Sequence, residues 1–155
     1  MTIEITDEYI KDGKLDREAL AGFGADEVEF DGDNIIFKTA VGFYECTPLT
    51  SVTGVTFYDS VVFSLCNNLT TVSGATFYGN VDFLWCGSLS SISGATFNSH
   101  VDFWECYNLS SVEGATFNGY VGFSGCYSLA SVSDAVLKHG FKAIDCPNLK
   151  QEELK

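Results

Sequence analysis

Five consecutive segments of this chain repeat one pattern at a step of 20 residues, and that step constrains the fold more than any other feature. Val41, Val61, Val81, Val101 and Val121 open the copies, and Phe43, Phe63, Phe83, Phe103 and Phe123 follow two places later. Cys46, Cys66, Cys86, Cys106, Cys126 and Cys146 form a third column; Leu49, Leu69, Leu89, Leu109, Leu129 and Leu149 form a fourth. Val52, Val72, Ile92, Val112 and Val132 make a fifth. Gly-Ala-Thr-Phe closes three copies at residues 74–77, 94–97 and 114–117, with a variant at 54–57. A unit this short cannot enclose a core alone, so each copy must bury its apolar edge against its neighbours, as in a solenoid.

Within a copy, Val-x-Phe and Ala-Thr-Phe alternate as strands do, whereas Cys-x-x-Leu-x-x-Val steps by three, which suits a tightly turning connection. No copy has room for a regular helix. Gly54, Gly74, Gly94 and Gly114 share a column that fits a corner needing positive φ or close backbone approach. The expected fold is mostly β, a leucine-rich-repeat-like β-solenoid of about five to six stacked coils. Residues 1–40 read as an α/β N-terminal cap that includes a degenerate coil, 41–140 as five repeats, and 141–155 as a partial repeat with a short C-terminal cap.

The cap has its own signals. Residues 2–6 alternate as a short strand, and residues 7–11 are expected to turn into helix with Thr6 as N-cap. Asp12-Gly13 marks a turn, and Asp16 caps a second short helix over 17–21, ended by Gly22 and Gly24. Val28, Glu29 and Phe30 alternate, residues 31–34 turn, and 35–37 return as a strand in register with residues 54–57. Such a cap shields the first coil's core and strand edge. At the far end, residues 148–155 read as a short polar helix.

Charge is the outlier in composition: 21 acidic residues against 8 basic ones give −13. Lys and Arg are absent from Thr39 to Leu137, a span that carries seven acids. Direct nucleic-acid binding is thereby disfavoured, since phosphate contact needs cations. The N-terminal residues lack a basic segment followed by an apolar run, and no stretch approaches the ~20 apolar residues of a membrane span, so a cytosolic location is expected. The cysteine spacing predicts a single inward column of reduced thiols, because parallel side-chain vectors are poor disulfide geometry.

Phe-x-x-Cys-x-x-Leu-x-Ser-Val, intact at residues 43–52 and 103–112, resembles the BspA-like leucine-rich repeat family over residues 41–149. The present repeat is shorter than that family's, and Gly-Ala stands where the family has Ile-Pro. Gly-Ala-Thr-Phe is also similar to segments of pentapeptide-repeat proteins, although Phe-x-x-Cys-x-x-Leu breaks their phase, so a four-sided β-helix stays as the alternative. The first resemblance implies non-enzymatic protein or surface binding. What the second implies includes acidic mimicry of double-stranded DNA.

Few residues are placed for chemistry. A column of sulfurs is collinear, whereas structural zinc needs four converging ligands. His100 and His139 fall two coils apart, about 9.6 Å, too far for one metal. No cofactor or catalytic residue is expected. Asp82 and Asp102 share an outward column, where carboxylates are ordinarily solvated. Trp85, Trp104, Tyr107, Tyr120 and Tyr127 depart from the consensus, and aromatics placed where the core needs none are candidate contact anchors. In the cap, Glu27, Glu29 and Asp31 alternate with Val28 and Phe30, and Asp33 extends the row. On a strand these acids recur every ~6.8 Å, twice the ~3.4 Å phosphate step of DNA.

Two functional classes follow. The more specific is a non-catalytic inhibitor, of the kind phages direct against restriction or CRISPR machinery, that occupies a basic nucleic-acid-binding protein. Its contacts would be Glu27, Glu29, Asp31 and Asp33, with Asp82, Asp102, Glu105 and Trp104. The other is a BspA-like interaction or adhesion module.

Overall fold

The computed structural model describes residues 1–154 as a solenoid of stacked 20-residue coils built on two sheets, parallel throughout except at the antiparallel N-terminal edge strand of the second. The first sheet runs Thr2–Ile5, Ala40–Tyr44, Val61–Ser64, Val81–Leu84, Val101–Trp104, Val121–Ser124, Phe141–Ile144, every neighbour parallel. The second runs from Val136–Leu137 through Thr116–Phe117, Thr96–Phe97, Thr76–Phe77 and Thr56–Phe57 to Asn34–Phe37 and Val28–Asp31. Pairing joins each residue to its column mate: Val81 to Val101, Phe83 to Phe103, Phe97 to Phe117. A slip by one residue would turn every inward Val and Phe outward, so the apolar columns fix the register.

Between the sheets each coil turns twice. The Leu89 N–H donates to Cys86 O at 3.1 Å, and the Ala95 N–H to Ile92 O at 3.0 Å. Midway, Ser51, Thr71, Ser91 and Ser111 bridge coil to coil. Their hydroxyls accept from the N–H two residues on, as in Ser73 to Thr71 Oγ1 at 3.0 Å, which gives this polar column a structural use. The glycine corner at Gly54, Gly74, Gly94 and Gly114 does have positive φ, 67–73°. A second left-handed column, unmarked by glycine, lies after the first-sheet strands at Glu45, Leu65, Trp85, Glu105 and Asp145, φ 52–58°, with only Gly125 matching the conformation.

Among the described residues, all buried side chains are apolar. Phe43, Phe63, Phe83, Phe103 and Phe123 stack at 4.7–5.4 Å between successive centroids, and Phe37, Phe57, Phe77, Phe97 and Phe117 form a parallel pile at 4.9–5.3 Å. The piles meet edge to face, Phe97 against Phe103 at 82°.

The cysteines are free, with Cys46, Cys66, Cys86, Cys106 and Cys126 buried and Cys146 half-buried. Each thiol donates to a first-sheet carbonyl of the preceding layer, Cys86 to Phe63 O at 3.5 Å. Burial pushes the Cys106 thiol up to about 12. Cys146 is lowered to about 7, chiefly because the adjacent Cys126 thiol supports its thiolate. Thiol titration of the native protein should therefore label one cysteine promptly and the other five only on unfolding. Prompt native labelling of several would remove the inward column.

The N-terminal cap differs from expectation in one place. Asp7–Tyr9 is a single 3-10 turn, and Thr6 makes no capping hydrogen bond because its hydroxyl turns to Glu8 Oε1 at 3.1 Å. Ile10–Lys11 instead pairs antiparallel with Lys14–Leu15 across Asp12-Gly13, both at positive φ. Arg17–Leu20 is helical as expected, Asp16 accepting from the Glu18 N–H at 3.0 Å. Val28–Asp31 and Asn34–Phe37 form a hairpin whose second strand sets Phe37 on Phe57. At the far end the expected helix is one 3-10 turn, Gln151–Leu154; Lys155 lies outside the described residues. Glu153 fastens it by accepting from the Ser131 hydroxyl at 2.7 Å and the Val132 N–H at 2.6 Å. Among the described residues, no helix is long and apolar enough to cross a membrane.

Candidate functional site

The outer face of the first sheet carries two columns of side chains. One holds Gly42, Val62, Asp82, Asp102, Gly122 and Lys142; the other holds Tyr44, Ser64, Leu84, Trp104, Ser124 and Ile144. Bulk along this face is uneven. At Gly42 the missing side chain is replaced by the Tyr44 ring, which folds into the space a Cβ would take. At Gly122 the Cβ position is taken instead by the Asp102 carboxylate reaching over from the adjoining strand, and Ser124 beside it is too short to fill the remaining space. A groove of about 330 Å³ opens there. Gly122 and Ser124 form its floor, Trp104 and Asp102 one wall, Lys142 and Ile144 the other, and Tyr120 stands at the rim. The walls are two strand spacings apart, about 9.6 Å.

The polar groups of this groove are held in place. His100 Nε2 lies 2.6 Å from Asp102 Oδ2, and the His100 ring stacks on Tyr120 at 5.5 Å with 2° between planes. Asp102 Oδ1 is left over Gly122, in the position a Cβ there would need. Asp82 pairs in register with Asp102 on the adjoining strand, and its carboxyl is raised above the usual range by burial first, then by the Asp102 charge, with His100 opposing. Trp104 is 47% exposed and presents a large apolar surface to the groove and solvent. The Glu105 carboxylate lies just outside, over Gly125. Lys142 makes no ion pair among the described residues.

Of the eight residues named from the sequence, the structure thus brings Asp82, Asp102 and Trp104 into one groove with Glu105 beside it. The other four lie elsewhere, at the N-terminal end of the second sheet. Two of them have partners inside the cap, and a third faces a hollow lined by cations. Glu27 accepts from the Gly24 N–H at 3.0 Å, and Glu29 is ion-paired with Lys38, whose ammonium also donates to Ala25 O at 3.0 Å. Asp33 borders a hollow shared with Lys14 and Arg17. The Arg17 guanidinium sits 4.6 Å above the Phe30 ring, on the same hairpin. Glu29 and Asp31 alternate outward as expected, but the row is interrupted by cations.

Sequence reasoning missed His100 as the holder of Asp102, and missed the space above Gly122 and Ser124. The usable signal was the departure of Gly122 and Ser124 from bulk directly beside Trp104. Compared with known proteins, the chain matches no family model, no curated protein and no solved structure, so its resemblance to BspA-like repeats rests on the motif columns alone.

Proposed function

We propose that this protein is a non-catalytic binding solenoid that engages a basic, nucleic-acid-binding protein on the surface where that partner takes DNA. One observation carries the reading. Seven acids occupy the stretch from Thr39 to Leu137 without a single Lys or Arg, and the one contact with a basic side chain that any of them makes among the described residues is the hydrogen bond of Asp102 with the His100 ring. Unneutralised charge spread along a rigid repeat produces a summed negative field, which steers a cationic partner and speeds its association. The same field repels nucleic acid. The cap contributes Asp31 to this surface, while Glu27 and Glu29 act largely within the fold.

The test is capture on immobilised protein followed by graded elution. Captured partners should be released by duplex DNA and by salt, since screening shortens the reach of exposed charges. Asp31→Lys combined with Glu105→Lys should slow association and flatten the salt dependence, with little change in stability because both sites are exposed or partly so. Partners that remain bound under excess DNA, with salt-indifferent affinity, would favour the interaction-module reading, which the exposed Trp104 supports.

A further inference from the structure

We infer that the groove between Trp104 and Ile144 receives an arginine side chain of the partner, its guanidinium laid on the Trp104 indole and hydrogen-bonded to Asp102, with the Asp82 carboxyl on the adjoining strand adding to the local negative charge. The inference rests on the basic-partner reading above and adds the contact that would give it specificity. Three features of the groove select this occupant.

The first is charge. Two carboxylates, Asp82 and Asp102, stand on adjoining strands against the single ammonium of Lys142. The His100 nitrogen is already committed to Asp102 Oδ2, so Oδ1 remains as the acceptor aimed over the floor. The second is shape. Asp102 and Trp104 are alternate residues of one strand and project from the same face, so the indole and the carboxylate lie side by side. A planar cation can then stack on the indole while its edge N–H groups reach a carboxylate, which a guanidinium does and a compact ammonium does not. The third is space. Ser124 leaves the floor open where a larger residue would fill it, and Gly122 lets the Asp102 carboxylate lie flat across the floor in place of a side chain. Any side chain at Gly122 would collide with Asp102, so the glycine and the carboxylate are fitted to each other.

Lys142 makes the inference specific in sign. It contributes the opposing charge at the far wall, so its removal should tighten guanidinium binding, whereas removal of a merely structural lysine would leave it unchanged. A neutral ligand such as a sugar would lose a hydrogen-bond donor and bind more weakly.

The probe is the blocked tripeptide N-acetyl-Gly-Arg-Gly-amide, titrated into the intact protein while the two indole N–H resonances are followed. Trp85, exposed but outside the groove, serves as the internal control. The expected result is a saturable shift of the Trp104 resonance with little change at Trp85. The citrulline tripeptide, equal in shape but uncharged, should produce no such shift. Asp102→Asn should weaken binding by about tenfold, the scale of one charge-assisted hydrogen bond, and Lys142→Ala should tighten it several-fold. Equal responses of both indoles, an equal response to citrulline, or a Trp104 shift with maltotriose and none with arginine would each overturn the arginine pocket. Failure here is separable from failure of the broader reading. DNA-displaceable, salt-sensitive capture that persists unchanged in Trp104→Ala removes the pocket and leaves the basic partner. Arginine binding at Trp104 without DNA-displaceable capture keeps the pocket and removes the DNA-competing role.

Discussion

Phe103→Ala should destabilise the protein by about 3–5 kcal/mol, the range for emptying a buried aromatic site. The ring is fully buried, with Phe83 stacked at 5.0 Å on one side and Phe123 at 5.4 Å on the other. Phe97 closes the third side edge-on at 5.9 Å. Collapse into the vacated space is obstructed because the flanking rings are carried by strands already hydrogen-bonded at the coil spacing. Drawing Phe83 and Phe123 together would require the strand between them to leave the sheet. The cavity therefore persists, and its cost adds to the lost burial.

Position in the stack adds to this loss. A solenoid's stability is close to a sum over neighbouring interfaces, and Phe103 contributes to two of them near the middle of the chain. Thr96→Ala is the comparison. Thr96 lies on the second sheet with its side chain half-buried on the outer side, and its removal should cost under about 1 kcal/mol. Urea midpoints of the two variants should differ clearly. Comparable midpoints would refute the division of inward and outward columns.

The inward columns were legible because every coil repeats the same burial problem. Val, Phe, Cys, Leu, Val, Ala and Phe recur because each is buried against its own copy, so the spacing alone gave the stack, its register and the cap strand that sets Phe37 on Phe57. Where a feature occurs once, the repeat has no hold on it. The Ile10–Lys11 and Lys14–Leu15 hairpin uses two residues per strand, too few for a periodic signal. The left-handed column at Leu65, Trp85 and Glu105 lacks the glycines that would advertise it. Nothing in the alternation of Glu27 and Glu29 indicates that Glu27 would turn back to the Gly24 N–H, or that Lys38, nine residues on, would meet Glu29. The groove follows the same rule. Its carboxylates and Trp104 were visible as departures from the columns, but its depth comes from what Ser124 lacks, and the Asp102 carboxylate lies over it because Gly122 has no Cβ.

Absence of bulk also sets the second large effect: Gly119→Ala should cost about 2–4 kcal/mol, several times a routine surface change. The reason is close approach and not backbone conformation, since Gly119 is not among the left-handed glycines. A Cβ built there falls within contact distance of the Ser99 carbonyl carbon and oxygen, and 3.0 Å from the His100 nitrogen. Gly79 meets the backbone of Asp59 and Ser60 in the same way. Backbone cannot rotate aside as a side chain can, so the coils must separate locally. The bonds at risk are Asn118 N–H to Phe97 O at 2.8 Å and Val101 N–H to Tyr120 O at 3.0 Å, which flank Gly119 on either side. Weakening either loosens the segment that stacks Tyr120 on His100 and thereby holds Asp102. Gly94→Ala separates the two causes: its φ is +68° and a Cβ there meets nothing within 4 Å, so only the left-handed penalty of about 1–2 kcal/mol remains. Urea unfolding of both variants, with the Trp104 indole resonance as a local report, should rank Gly119→Ala well below Gly94→Ala in stability and move the resonance only in the former. Equal losses, or an unmoved resonance in both, would mean that the coils tolerate a methyl group where their backbones meet.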